Sequence, residues 1–128
     1  MIVESLIFGG INGYGLAISI ADFNQDGFPD IYVGNDFHED DYYYINNGNG
    51  TFSDQLKNYF GHTTRFSMGN DVTDINHDGL PDIISLDMFP DDPAILKKSA
   101  GEEMMEVFDM KEQLGYFYQL SRNALQLN

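Results

Sequence analysis

The chain has 128 residues, 6 Lys and Arg against 21 Asp and Glu for a formal net charge of -15, and no cysteine. With 42% hydrophobic and 14% aromatic residues it has material for a packed core, which excludes a disordered chain. The charge repels phosphate backbones and anionic lipid, so nucleic acid is excluded as a partner; without cysteine there is no disulfide framework or thiolate metal site, and the compartment stays open.

The N-terminal MIVESLIFGG has no basic leader ahead of a long apolar run, and nothing in the chain approaches a membrane span. Any export signal is expected to lie outside it. The run Gly9, Gly10, Ile11, Asn12, Gly13 precedes no convincing helix, so no phosphate-cradling loop is read there. Leu16, Ile18 and Ile20 then alternate with smaller residues, and Ile31 to Val33 is β-branched and aromatic, so the acidic stretch between them joins two strands. Tyr42 to Asn46 predicts a third strand, Asn47 to Gly50 a turn and Thr51 to Asp54 the start of a fourth, giving an antiparallel sheet.

The design then returns. YGLAISIADFNQDGFPDIYVGND (Tyr14 to Asp36) aligns without a gap on FSMGNDVTDINHDGLPDIISLDM (Phe66 to Met88), an offset of 74 minus 22, or 52. After Asp87 the second copy departs from the first. Asp92 before Pro93 predicts a helix start, and Met104, Met105 and Phe108 share helical spacing before Gly115. These Met and Phe residues are expected to pack an insertion, about 90–120, onto the sheet. Asn123 to Asn128 repeats the YYYINN strand, and the array is expected to be cut in mid-blade, with 1–60 as one repeat and 61–128 as the next.

Calcium takes six to eight oxygens, which a loop supplies by turning alternate side chains inward around a glycine. In the loop 22–30, Asp22, Asn24, Asp26 and Asp30 stand at positions one, three, five and nine, with the Phe28 carbonyl at seven and Gly27 at the turn. The loop 74–82 repeats this with Asp74, Asn76, Asp78, Asp82, the Leu80 carbonyl and Gly79. Magnesium suits so crowded a carboxylate loop less well. The helix-loop-helix sensor is excluded, because its bidentate Glu at position twelve is replaced by Val33 and Ser85 and strands replace its helices. The competing reading is a pair of ordinary solvated hairpin turns, and the exact repetition argues against it.

With D-x-N-x-D-G-x-x-D between strands and the element INNGNGTF (Ile45 to Phe52), the chain resembles the FG-GAP and VCBS-type repeats, blades of integrin-α-like β-propellers. GNDFHEDDYYYINN, FGHTTRFSMG and LDMFPDDPAILKKSAG are similar to long-blade VCBS surface proteins of Bacteroidetes-type bacteria. The resemblance implies a mainly β fold of antiparallel propeller blades, about two and so an incomplete propeller, with a helical insertion in the second. It further implies two calcium sites on the loop residues named above, an extracellular, cell-surface or periplasmic setting, a protein or glycan ligand, and remaining blades to complete the ring, since closure takes at least about four.

A second reading is a propeller-based glycan-active hydrolase or lyase with its chemistry in Asn35, Asp36, His38, Glu39, Asp40 and Asp41, as a second cation site or an acid and base pair. A solvated acidic loop is the simpler account, and no catalytic residue is assigned. For His62, Thr63, Thr64 and Arg65 a plain salt-bridge or turn role is the simpler account, the alternative being that they meet that loop across the blade junction, and His77, at loop position four, is expected to face solvent.

Overall fold

The computed structural model describes residues 13–88, 90–96 and 105–128. The segment read for a leader, most of the run Gly9 to Gly13, and Met104 lie outside the described residues. The first sheet is an antiparallel meander of β1 (Tyr14–Ala21), β2 (Asp30–Asp36), β3 (Tyr42–Asn46) and β4 (Phe52–Asp54), hydrogen-bonded in that order. Its register pairs Ile20 with Ile31 and Ile31 with Tyr44, so these three share one face. Ser19, Tyr32 and Tyr43 occupy the other, as the two-residue strand period requires.

A single turn of helix, α1 (Leu56–Tyr59), follows, and it is not anticipated from the sequence. It forms because Leu56 and Phe60 both reach the core from QLKNYF, at 2% and 8% exposure. β5 (Thr63–Thr64) comes next, then the second repeat as β6 (Ser67–Thr73) and β7 (Asp82–Asp87). The insertion contributes α2 (Pro93–Leu96), α3 (Met105–Gln113) and β8 (Gln119–Leu120), and β9 (Ala124–Gln126) completes a three-stranded antiparallel sheet in the order β6-β7-β9. β5 and β8 form a short parallel pair, also unforeseen.

The helix signals act as read. Asp92 Oδ1 accepts the Ala94 N–H at 2.8 Å, capping α2. Beyond α3, Gly115 adopts φ 86 and the N–H of Tyr116 reaches back to the Lys111 carbonyl at 3.1 Å, the left-handed stop that glycine permits. Of the three residues expected to pack the insertion onto the sheet, Met104 and the Met105 side chain lie outside what the structure describes, and Phe108 packs within the insertion itself. Phe108 rests on Tyr118, ring centres 5.7 Å apart, and Phe117 is the residue that packs against the core.

The two sheets stack through Phe23, Tyr32, Tyr43, Leu56, Phe60 and Ile83. Tyr32 lies flat on Phe60 at 5.5 Å, and Tyr43 meets Phe23 and Phe60 at 5.2 and 5.1 Å. Rings of this size bury enough apolar area to contribute about 1.5 to 3 kcal/mol each. Across the junction Ser19 Oγ donates to Asn70 Oδ1, and the Tyr32 hydroxyl lies 3.2 Å from Ser85 Oγ. On the opposite face of the first sheet the β1 side is open, with Ile18 and Ile20 66% and 65% exposed, while Tyr44 is buried. No described helix is long and apolar enough to cross a membrane.

Candidate metal loops

Both acidic loops are hairpin connections, joining β1 to β2 and β6 to β7. Each is wound by left-handed residues at positions four and six, Gln25 (φ 59) and Gly27 (φ 88) in the first, His77 (φ 62) and Gly79 (φ 88) in the second. The backbone N–H groups thereby turn into the loop. Asp22 Oδ1 accepts from Asp26 N–H at 3.0 Å and its Oδ2 from Gly27 N–H at 2.8 Å. Asn24 Oδ1 accepts from Asp26 N–H at 3.1 Å, and Asp26 Oδ1 from Phe28 N–H at 2.9 Å. The second loop has the same bonds: Asp78 N–H to Asp74 and to Asn76, both 3.0 Å, Gly79 N–H to Asp74 at 2.9 Å, and Leu80 N–H to Asp78 at 2.9 Å.

Position nine behaves differently. Asp30 is fully buried, and its two oxygens accept from Phe23 N–H at 2.9 Å and from Asn46 N–H, at the end of β3, at 2.7 Å. Asp82 is buried likewise, and accepts from Ile75 N–H at 2.9 Å and from Asn128 N–H at 3.0 Å. The Asn128 N–H, followed by the amides of the loop, holds the Asp82 carboxyl below the usual carboxylate range. Each of these aspartates therefore ties the base of a loop to the third strand of its sheet.

Among the described residues no three His, Cys, Asp or Glu side chains are grouped as a metal site. The reason is local: the Asp22, Asp26, Asp74 and Asp78 oxygens turn toward loop amides, and the Asn24 and Asn76 amides each donate to the neighbouring Asp26 or Asp78 Oδ2 at 2.8 Å. The donor set itself suits a hard cation, with oxygen donors only and three carboxylates per loop. A carboxylate oxygen that accepts one N–H retains a lone pair for a metal.

The loops also touch each other. Gln25 Nε2 donates to the Gly79 carbonyl at 2.9 Å, and the Asn128 side-chain amide donates to the Phe23 carbonyl at 2.5 Å. Sequence spacing gives no hint of either contact. The registers, with Ile31 opposite Tyr44 and Ile83 opposite Gln126, make Asn46 and Asn128 counterparts. His77 is exposed, as expected.

The acidic stretch Asn35 to Asp41 is largely structural. Asp41 is fully buried and accepts from the Tyr32 hydroxyl at 2.6 Å and from Asn35 N–H at 2.8 Å; burial pushes its carboxyl up to about 7. Both Asp40 oxygens accept from Phe117 N–H, at 2.9 and 3.0 Å, and the Glu39 carbonyl accepts from the Gln119 amide at 2.7 Å, so this stretch anchors the insertion. Asn35 donates to the Asp40 carbonyl at 2.7 Å. Asp36 is half-buried, while His38 and Glu39 line an open cleft of about 390 Å³ with Tyr14 and Phe37. Thr63 and Thr64 pair with Gln119 and Leu120 of β8, and Arg65 lies over the ring of Phe66, which meets Phe37 edge to face at 5.8 Å.

Among curated proteins and among solved structures, nothing matches the chain. A family model does match, that of the FG-GAP-like repeat, over residues 22–85. That span is half of the chain and runs from the first residue of one acidic loop, through the other, into β7; the chain belongs to the FG-GAP-like repeat family.

Proposed function

We propose that the two loops bind calcium and that the ion's role is structural, stiffening propeller-type blades in an extracellular or envelope protein that presents a surface to a protein or glycan ligand. The observation that carries this reading is the identity of the loops: the corresponding hydrogen bonds of 22–30 and 74–82 agree within 0.1 Å. Turns kept only for their shape need not repeat the carboxylates as well. Asp22, Asn24, Asp26, Asp30 and the Phe28 carbonyl hold one ion; Asp74, Asn76, Asp78, Asp82 and the Leu80 carbonyl hold the other. The cation offsets two of the three carboxylate charges in each loop and fixes the register of the strands on either side.

With the affinity of an extracellular module, a Kd of about 0.1 to 1 mM, millimolar calcium adds on the order of 0.5 to 1.5 kcal/mol per site. A thermal melt in EDTA, calcium or magnesium tests this. Calcium is expected to raise Tm more than magnesium does, and the double change Asp26→Ala with Asp78→Ala to abolish the rise. A folded chain indifferent to calcium would refute the proposal.

The partner of the open sheet face is a further blade of the same repeat. By the 52-residue offset, Ile20 and Ile31 correspond to Val72 and Ile83, which pack against the first sheet. The glycan-active enzyme has less support, since Asn35, Asp40 and Asp41 are committed to internal hydrogen bonds.

A further inference from the structure

From the contacts between the loops we infer that the two calcium sites form a coupled pair, with Gln25 and Asn128 as the positioning residues that link them. The inference rests on the calcium reading above and concerns how one site responds to the other.

Two bridges span the loops at different heights. Near the tips, the left-handed backbone of Gln25 swings its side chain out of the first loop, where Nε2 holds the Gly79 carbonyl at 2.9 Å. A non-glycine residue at positive φ is uncommon, and here it aims a long amide at its neighbour. Gly79 immediately precedes Leu80, whose carbonyl is the backbone ligand of the second loop, so fixing one peptide orients the next. Near the bases, Asn128 bridges both sites with one residue: its N–H binds Asp82 Oδ1 at 3.0 Å, and its side-chain amide binds the carbonyl of Phe23, the residue after ligand Asp22.

The sign of the coupling follows from what each ion must order. Both loop tips are exposed, so part of the cost of binding is fixing their backbone. An ion in the first loop fixes Gln25 and Phe23, and through them Gly79 and Asn128, before the second ion arrives. The second ion then has less to order, which is positive cooperativity carried by conformational entropy. Mutual repulsion of the two ions opposes this, and the strongly negative chain, at -15, weakens that opposition.

Isothermal titration of the whole chain with calcium chloride tests the linkage as a cycle. Asp26→Ala disables the first loop, and the affinity remaining in the second is expected to fall at least about fivefold below its value with both loops intact. In a Gln25→Ala, Asn128→Ala background the same change should leave that affinity within about twofold. Both bridge variants are mild, because Asn128→Ala keeps the backbone N–H to Asp82.

A second readout is hydrogen exchange. In Asp78→Ala, calcium filling only the first loop should slow exchange at Gly79 and Leu80, and Gln25→Ala should remove that protection. Calcium bound at two sites whose affinities ignore each other, or coupling undiminished in the bridge variants, overturns the linkage and leaves the calcium reading standing. No heat and no Tm shift in any variant overturns both.

Discussion

The carboxylates at position nine carry a structural job in addition to the ion proposed for them. Asp30 and Asp82 were placed by the sequence among the ligands, and nothing in their spacing distinguishes them from Asp22 or Asp26. Burial does: each is fully enclosed and uses both oxygens on backbone N–H groups, one in its own loop and one 16 or 46 residues away, at the end of β3 or just past β9. Distances of that kind are fixed by sheet topology, which is why the asparagine partners were not legible. Asp30→Asn turns an NH2 group toward one of those donors, so it is expected to cost about 1 to 3 kcal/mol in a melt run in EDTA, where calcium plays no part.

Asp41 gives a pH signature. Its carboxyl is raised from 3.8 to about 7, so the folded chain binds its proton more tightly than the unfolded one. Its contribution is greatest below pH 3.8 and is lost as pH rises through 7; Asp40 and Asp87, also raised by burial, act in the same direction. Asp41→Asn should flatten this slope and stabilise the chain at pH 8 by about 1 to 3 kcal/mol. The Tyr32 hydroxyl can reverse its bond, because Ser85 Oγ offers it another acceptor at 3.2 Å. Urea unfolding of both proteins at a series of pH values checks it.

Among the elements, those with a local cause were legible and those with a tertiary cause were not. Alternating apolar residues marked β1, the Asn-Gly run marked the turn before β4, and Asp92-Pro93 and Gly115 marked helix ends. The helix α1 exists because its two apolar residues find the junction between sheets, and the β5–β8 pair joins segments 56 residues apart, for which neither sequence carries a signal. The junction itself depends on a position that looks unremarkable in sequence. A Cβ at Gly34 would lie 2.4 Å from Ser67 Oγ and 3.0 Å from Asn70 Nδ2, so β2 and β6 approach only over glycine. Gly34→Ala is expected to destabilise by about 1 to 3 kcal/mol. Adding Ser67→Ala, which removes the nearest atom, should recover part of that loss in the same denaturation assay.

For the whole molecule, the apolar surface left on the first sheet is the strongest constraint on behaviour in solution. Ile18 and Ile20 stand in the places where the second sheet carries Asn70 and Val72 against its neighbour, so the isolated chain should self-associate through that face. Sedimentation across a concentration series should show this, and Ile18→Lys with Ile20→Lys should give a monomer. The two blades also differ in how their third strand arrives. In the first, residues 37–41 connect β2 to β3; in the second, residues 88–123 connect β7 to β9, yet the same contact between an asparagine N–H and a buried aspartate closes each, at the end of β3 and two residues past β9. By loop-closure entropy the longer excursion adds only about 2 kcal/mol at equilibrium. Its effect on timing is larger, since distant contacts form late. The first meander can close while β7 still waits for its partner, and in a crowded solution the β9 of another copy can dock there instead. Strand exchange between chains is the folding error that this connection invites.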